Sequence, residues 1–228
     1  MYTLYVANKN YSSWSLRPWV LMRELAIPFD EQVRPFNDGP TLAFGDVSPS
    51  GRFPCLVDGG IVVWDSLAIT EYLAEAHPQV WPADKAARAF ARSAAAEMHS
   101  GVSSLRNICG MNVGIRVELA SIPEGLATDI ARLDALWTDG LTRFGGPFLA
   151  GDRFTAVDAF FSAVAFRVQI YDLQLSAPAR AYAQRLLDLP SMRDWYDAAL
   201  KETWRKAAYE REALAAGRIV ADYRQTTA

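Results

Sequence analysis

Cysteine is nearly absent from this chain, and the two that occur, Cys55 and Cys109, are far apart with no pairing pattern. That excludes a disulfide scaffold and a cysteine-based zinc cluster, no metal site is expected, and a reducing compartment is implied. Positive charge is not in excess: 23 Lys and Arg against 26 Asp and Glu give a formal net charge of -3. The basic balance of a nucleic-acid binder is therefore missing. The apolar stretch from Ala159 to Ala165 is too short to span a membrane, and Arg167 closes it. The opening residues, Met1 to Val6, have neither a basic start nor a long apolar run, so no signal peptide is expected and the protein reads as cytoplasmic. What is present is an ordinary globular composition, 51% hydrophobic and 21% charged over 228 residues. That length allows one large domain or two smaller ones.

The first third of the chain mixes strand and helix signals. Tyr2 to Ala7 is rich in β-branched and aromatic residues and predicts a strand. Ser15 is placed to cap a following helix that runs to about Leu25, with Pro18 in its first turn. Phe29 to Arg34 alternates as a second strand. Cys55 to Val57 and Ile61 to Trp64 flank Asp58-Gly59-Gly60, a hairpin signal. Beyond Asp65 and Ser66, the residues Ile69, Tyr72, Leu73 and Ala76 follow helical spacing. The order is βαβ, then ββα. After His77-Pro78 the texture changes and strand signals nearly vanish. The alanine-rich segment from Asp84 to about Asn107 predicts one long helix, and Leu126 to Phe144 predicts another, ended by Gly145-Gly146-Pro147. Thr155 and Asp158 resemble a capping box, and shorter helices are expected after Pro178 and Pro190. The tail after Gly217 is expected to be loose. The parse is an α/β domain over residues 1–77, a linker over 78–83 containing Pro78 and Pro82, and an all-helical domain over 84–228.

Four local motifs, in order, carry a family resemblance. Tyr11-Ser12-Ser13-Trp14-Ser15-Leu16-Arg17 resembles the Ser-Ser-Cys-Ser motif of zeta-class glutathione transferases, which include maleylacetoacetate isomerases. Arg52-Phe53-Pro54-Cys55-Leu56 resembles the superfamily's Val-Pro-x-Leu segment, whose proline is cis. Asp65-Ser66-Leu67-Ala68-Ile69 resembles its Glu/Gln-Ser-x-Ala-Ile segment. Phe148 to Asp152 followed by Thr155 to Asp158 resembles its helical-domain signature. The resemblance implies a thioredoxin-like α/β domain followed by an all-α domain. It also implies glutathione as co-substrate, a small electrophile as second substrate, a detoxification role and a homodimer.

Glutathione is an anionic tripeptide with a thiol, so its site needs anchors at both ends and a group that favours thiolate. A free thiol has a pKa of about 8.5; a donated hydrogen bond and a helix N-terminus both lower it. By resemblance the first serine of the motif, Ser12, is the activating hydroxyl, with Ser13 as second candidate. Helix capping is the competing role for both, and Ser15 suits that role better. Tyr5 and Tyr11 are alternatives, since other classes use tyrosine. Trp14 stands where the zeta motif has cysteine, which excludes thiol exchange at this turn; it either lines the electrophile pocket or anchors the core. The resemblance makes the Phe53–Pro54 bond cis, presenting the Phe53 backbone to the cysteinyl part of glutathione. Asp65 and Ser66, at a helix N-terminus, would hold the γ-glutamyl ammonium and carboxylate. Arg52 is a candidate for a glutathione carboxylate, and the Gly39-Pro40-Thr41 loop offers no clear partner for the glycine end. Leu105-Arg106-Asn107 resembles a zeta Leu-Gln-Asn segment facing the cleft, making Arg106 and Asn107 candidates for the second-substrate pocket. Arg106 would select anionic electrophiles, or it is a solvated helix charge. Cys55 reads as a small buried hydrophobe, Asp158 as a structural cap, and His99 receives no role. The zeta arginine that binds substrate carboxylate falls on Ile170, with Arg167 one turn earlier, a mismatch that weighs against the isomerase reading. Glutathione conjugation is the leading reading, with a glutathione-dependent cis-trans isomerase and a non-catalytic binding module as alternatives.

Overall fold

The computed structural model describes residues 1–36 and 44–225. The Gly39-Pro40-Thr41 stretch lies outside the described residues. Strand β1 (Tyr2–Val6) is followed by helix α1 (Ser13–Glu24), β2 (Phe29–Val33), β3 (Cys55–Asp58), β4 (Ile61–Trp64) and α2 (Ser66–Ala76). The strands form one sheet in the order β2-β1-β3-β4, with β1 parallel to β2 and antiparallel to β3. Strands β3 and β4 pair Asp58 with Ile61 across the two-residue Gly59-Gly60 turn, where Gly59 has φ 59°. Side chains alternate across the sheet. Leu4, Val6 and Leu56 join Leu16, Val20, Ile69 and Leu73 in the main core; Ala7 and Cys55 face a second cluster with Phe44 and Phe53. Each such fully buried aliphatic side chain contributes about 1.5–3 kcal/mol.

Helix α1 begins three residues before the sequence places it. Ser12, not Ser15, is the N-cap, its Oγ accepting the Ser15 N–H at 3.3 Å. The reason lies upstream. The N–H groups of Tyr11 and Ser12 both return to the Asn8 carbonyl, at 3.2 and 2.9 Å, and this turn fixes Ser13 as the first helical residue. Pro18 consequently sits in the second turn rather than the first, so the Trp14 carbonyl lacks its helical N–H donor. The Phe53–Pro54 bond is cis.

The rest of the chain is mostly helical: α3 (Lys85–Ser100), α4 (Ser103–Ile108), α5 (Glu124–Phe144), α6 (Ala156–Tyr171), α7 (Ala177–Leu187), α8 (Pro190–Lys201) and α9 (Ala207–Ala216). The expected single helix from Asp84 to Asn107 is broken. Val102 takes a left-handed conformation, φ 48°, and redirects the chain between α3 and α4. The all-helical expectation is also corrected, because β5 (Ile115–Leu119) and β6 (Gly217–Asp222) form an antiparallel pair. The tail after Gly217 is thus a strand tied to residues a hundred positions earlier. Helix α6 is buried on nearly every side, the environment its mostly apolar surface requires. Its Phe161 meets Trp137 edge-on at 5.6 Å. Asp158 closes the capping box: its fully buried carboxylate accepts the N–H of Thr155 at 2.9 Å and of Leu149 at 3.1 Å, and the Tyr182 hydroxyl at 2.9 Å. Among the described residues no helix is long and apolar enough to cross a membrane.

Candidate functional site

Two cavities meet where β1 turns into α1. The first, about 490 Å³, is lined by Ser12, Ser13, Trp14, Arg52, Phe53, Arg106 and Asn107, with Tyr11, Arg167, Lys206, Tyr209 and Glu212 on its remaining wall. The second, about 520 Å³, is lined by Trp14, Arg52, Phe53, Pro54, Asp65, Ser66 and Arg106, with Ser50 and Trp64. Apart from the alternative activator Tyr5 and the aligned position Ile170, every described site residue named from the sequence lines one or the other. Trp14, Arg52, Phe53 and Arg106 line both, so they form a shared wall.

Ser12 holds the N-terminal end of α1, where the helix dipole favours negative charge. Its Oγ lies 2.7 Å from Ser15 Oγ, and Ser15 Oγ accepts the Ala7 N–H at 3.1 Å. Ser13 is nearly buried beside it. Tyr11 reaches the same cavity, but its hydroxyl donates to Glu210 Oε1 at 2.6 Å and its ring stacks on Tyr209 at 5.1 Å. Burial and the Glu210 carboxylate push that phenol further above its ordinary range. Tyr5 does not line either cavity; its ring lies against Phe53 at 5.9 Å.

Trp14 is a wall with two cations on it. The Arg17 guanidinium lies 4.1 Å and the Arg106 guanidinium 4.6 Å from its ring centroid. Arg106 is also fixed by donating to the carbonyls of His99 at 3.0 Å and Gly101 at 3.3 Å. It is therefore a held group on the cavity wall, not a freely solvated helix charge. At the other cavity, Asp65 caps α2, its Oδ1 accepting the N–H groups of Leu67 at 2.8 Å and Ala68 at 3.3 Å. It does so at φ 75°, a conformation that costs a non-glycine residue on the order of 1–3 kcal/mol.

Sequence reasoning passed over several of the groups that hold these walls. Arg17 is buried, donates to Ser66 Oγ at 3.3 Å and lies 3.4 Å from His99 Nδ1. Burial, then the charges of Arg106 and Arg167, pull its guanidinium down to about 9, so it stays protonated at neutral pH. His99, given no role from sequence, bridges Arg17 to Asp65, whose Oδ2 is 3.4 Å from His99 Nε2. Burial lowers its pKa against the opposing pull of Asp65. Arg167 is buried on the cavity floor, with Nε donating to the Cys109 carbonyl at 2.8 Å and Nη1 to the Ala163 carbonyl at 3.2 Å. Among the described residues it has no carboxylate partner. Burial lowers it to about 10, again leaving it charged at neutral pH. Ile170, where the resemblance aligns the substrate arginine, is core. The position of Arg17 in the Ser-Leu-Arg run was a visible signal; nothing local announced His99, Tyr209 or Glu212. Among the described residues no cluster of metal-ligating side chains occurs.

Known proteins resemble the chain along most of its length. The N-terminal domain of the glutathione S-transferase family matches residues 11–76, and the C-terminal domain of the same family matches residues 116–198. A probable maleylacetoacetate isomerase of Caenorhabditis elegans is 26% identical over 200 residues, 82% of this chain and 89% of that protein. A glutathione S-transferase-like protein of Beauveria bassiana is 25% identical over 165 residues, 69% of this chain and 75% of that one. Among solved structures, a glutathione transferase homologue from Burkholderia with bound glutathione superposes with a TM-score of 0.67 at 22% identity, covering 87% of this chain and 97% of that one. An unclassified glutathione S-transferase from Bombyx mori reaches a TM-score of 0.70 at 19% identity, covering 95% and 99%.

Proposed function

Because this chain belongs to the glutathione transferase superfamily, we propose that it binds glutathione across the Pro54–Ser66 cavity and conjugates its thiolate to a small electrophile held in the adjoining cavity. The observation that carries this reading is the shared wall: Trp14, Arg52, Phe53 and Arg106 border both cavities, with Ser12 at the helix N-terminus beside them. Ser66 and the first N–H groups of α2 receive the γ-glutamyl carboxylate, and Asp65 receives the ammonium. The Phe53 backbone, turned outward by the cis bond, pairs with the cysteinyl backbone. Ser12 donates a hydrogen bond to sulfur; Ser13 is the second candidate for that role. With the α1 dipole, this lowers the thiol pKa from about 8.5 toward neutrality. The thiolate then attacks an electrophilic carbon or a conjugated double bond, and the thiol proton leaves to solvent.

Arg106 and Arg167 favour an electrophile bearing a carboxylate. Arg167 fills from one turn earlier the role that the family's isomerases give to an arginine at the Ile170 position. That geometry, with the likeness to a probable maleylacetoacetate isomerase, keeps a second reading in play, in which glutathione adds to a cis double bond, permits rotation and leaves unchanged. A homodimer is proposed as the assembly, supported by Ile61, Val62 and Trp64, which are exposed on the edge strand β4.

Calorimetry of glutathione binding, paired with ultraviolet absorbance of the bound thiolate, tests the proposal in native protein and Ser12→Ala. Native protein is expected to bind and ionise glutathione. Ser12→Ala is expected to bind it with little loss and to ionise it at least tenfold less, the loss of one charge-assisted hydrogen bond of about 1.5–3 kcal/mol. Equal ionisation by both proteins refutes the serine mechanism. Failure of the native protein to bind glutathione leaves the family assignment standing and turns the reading to a binding module.

A further inference from the structure

Ser15 is fully buried one turn along α1 and lines neither cavity. Both its backbone and its side chain nevertheless meet the Ser12 oxygen. Ser15 N–H donates to Ser12 Oγ at 3.3 Å, and the two hydroxyl oxygens stand 2.7 Å apart. On its other side, Ser15 Oγ accepts the N–H of Ala7 from the end of β1 at 3.1 Å. A hydroxyl has one proton and two acceptor sites, and its rotor turns to suit its partners. In the structure Ser12 Oγ donates to Ser15 Oγ. With an anion at Ser12 the ordering reverses. Ser12 turns its proton to the anion, and Ser15, whose oxygen is held by the Ala7 N–H, turns its own proton to Ser12 Oγ.

We propose that Ser15 is a positioning residue for thiolate formation: it backs the Ser12 hydroxyl in a directional chain that runs from Ala7 N–H through Ser15 Oγ and Ser12 Oγ to the glutathione sulfur. The inference rests on the reading of Ser12 given above. Successive hydrogen bonds polarise one another, so a Ser12 hydroxyl that accepts from Ser15 is a stronger donor than one that does not. The same donation fills the lone pair that would compete for solvent. No proton passes along the chain; each rotor reorients, and the thiol proton is lost to water. The sequence Ser-x-x-Ser thus serves two purposes. It caps the helix, through Ser15 N–H to Ser12 Oγ, and it orients the cap's proton outward.

The test follows the pKa of the bound glutathione thiol by ultraviolet absorbance in native protein, Ser15→Ala, Ser15→Cys and Ser12→Ala. Affinity for S-methylglutathione, which has no thiol to ionise, is measured alongside. Ser15→Ala is expected to raise the bound thiol pKa by ~0.5 unit, a roughly threefold smaller thiolate fraction near neutral pH, with S-methylglutathione affinity unchanged within about twofold. Ser15→Cys keeps the side-chain shape with a far weaker donor and is expected to raise the pKa as well, which preserves the test if the alanine variant folds poorly. Unmoved thiol pKa in both Ser15 variants, where Ser12→Ala does raise it, overturns this inference alone. Thiol pKa and S-methylglutathione affinity worsening in parallel assigns Ser15 a purely structural role and overturns it too. An unmoved thiol pKa in Ser12→Ala removes the parent reading, and the chain with it.

Discussion

Replacing Asp158 by alanine tests how a fully buried carboxylate holds the helical part of the fold together. Four donors converge on it: Leu149 N–H, Thr155 N–H, the Tyr182 hydroxyl and, at 3.4 Å, the Thr155 hydroxyl. Each buried donor left without an acceptor costs about 1–3 kcal/mol. Against this, burial raises the Asp158 carboxyl from 3.8 to about 6, so its charge is itself a burden at neutral pH. Its folded pKa is above its unfolded one, so the unfolded chain releases this proton first as pH rises. The stability this group supplies is greatest below pH 4 and declines until the pH passes 6. Linkage over that window gives a loss of about 1.3 kcal/mol between pH 5 and pH 7. The alanine variant is therefore expected to be about 4 kcal/mol less stable than native at pH 5, and about 1.3 kcal/mol closer to it at pH 7. Urea unfolding followed by tryptophan fluorescence at the two pH values reads both numbers. A deficit equal at the two pH values, or larger at pH 7, would refute the reasoning. It would mean that the four donors hold the carboxylate ionised throughout.

The other predictions concern the site and its support. Tyr11→Phe removes the hydroxyl that donates to Glu210; because that hydroxyl is already committed, the variant is expected to leave the bound thiol pKa within about 0.2 unit of native, and a rise comparable to Ser12→Ala would restore tyrosine as the activator. Arg167→Met is expected to lower kcat/KM for a carboxylate-bearing electrophile by roughly 10–100-fold, the worth of a charge-assisted hydrogen bond, while leaving a neutral electrophile within about threefold; parallel losses on both would remove Arg167 from substrate selection. Gly140→Ala, which elsewhere in a helix gains stability, is expected to cost at least ~1–3 kcal/mol, because the added Cβ would stand 2.7 Å from the Leu149 carbonyl oxygen and 2.8 Å from the Phe90 ring; thermal unfolding above the native midpoint would show that the helix shifts freely there.

The sequence by itself determined the elements whose stabilising signals are local. The two-residue turn at Gly59-Gly60, the alternation of β1 and the capping pair at Thr155 and Asp158 each depend on residues within a few positions of one another. The motif residues at Ser12, Pro54 and Ser66 were picked out by resemblance to family motifs, and each lies at an element's end. Where two local solutions were equally good, tertiary context chose. Ser12 and Ser15 both suit an N-cap, and the turn back to the Asn8 carbonyl decided for Ser12. Alanine-rich sequence favours continuing the helix past Ser100, yet Val102 breaks it so that Leu105 and Arg106 can pack where they do. Strand β5 alternates apolar and polar residues while β6 runs Ile219-Val220-Ala221 without alternation, and each is short and finds its ladder partner about a hundred residues away. The site's charges belong to the same category. Arg17, His99 and Asp65 come from α1, α3 and the cap of α2, and Arg167 on α6 lines the same cavity as Arg106 on α4. Periodicity specifies which face of a helix is buried; it carries no information about which distant face it is buried against, and that is where the cavity wall was made.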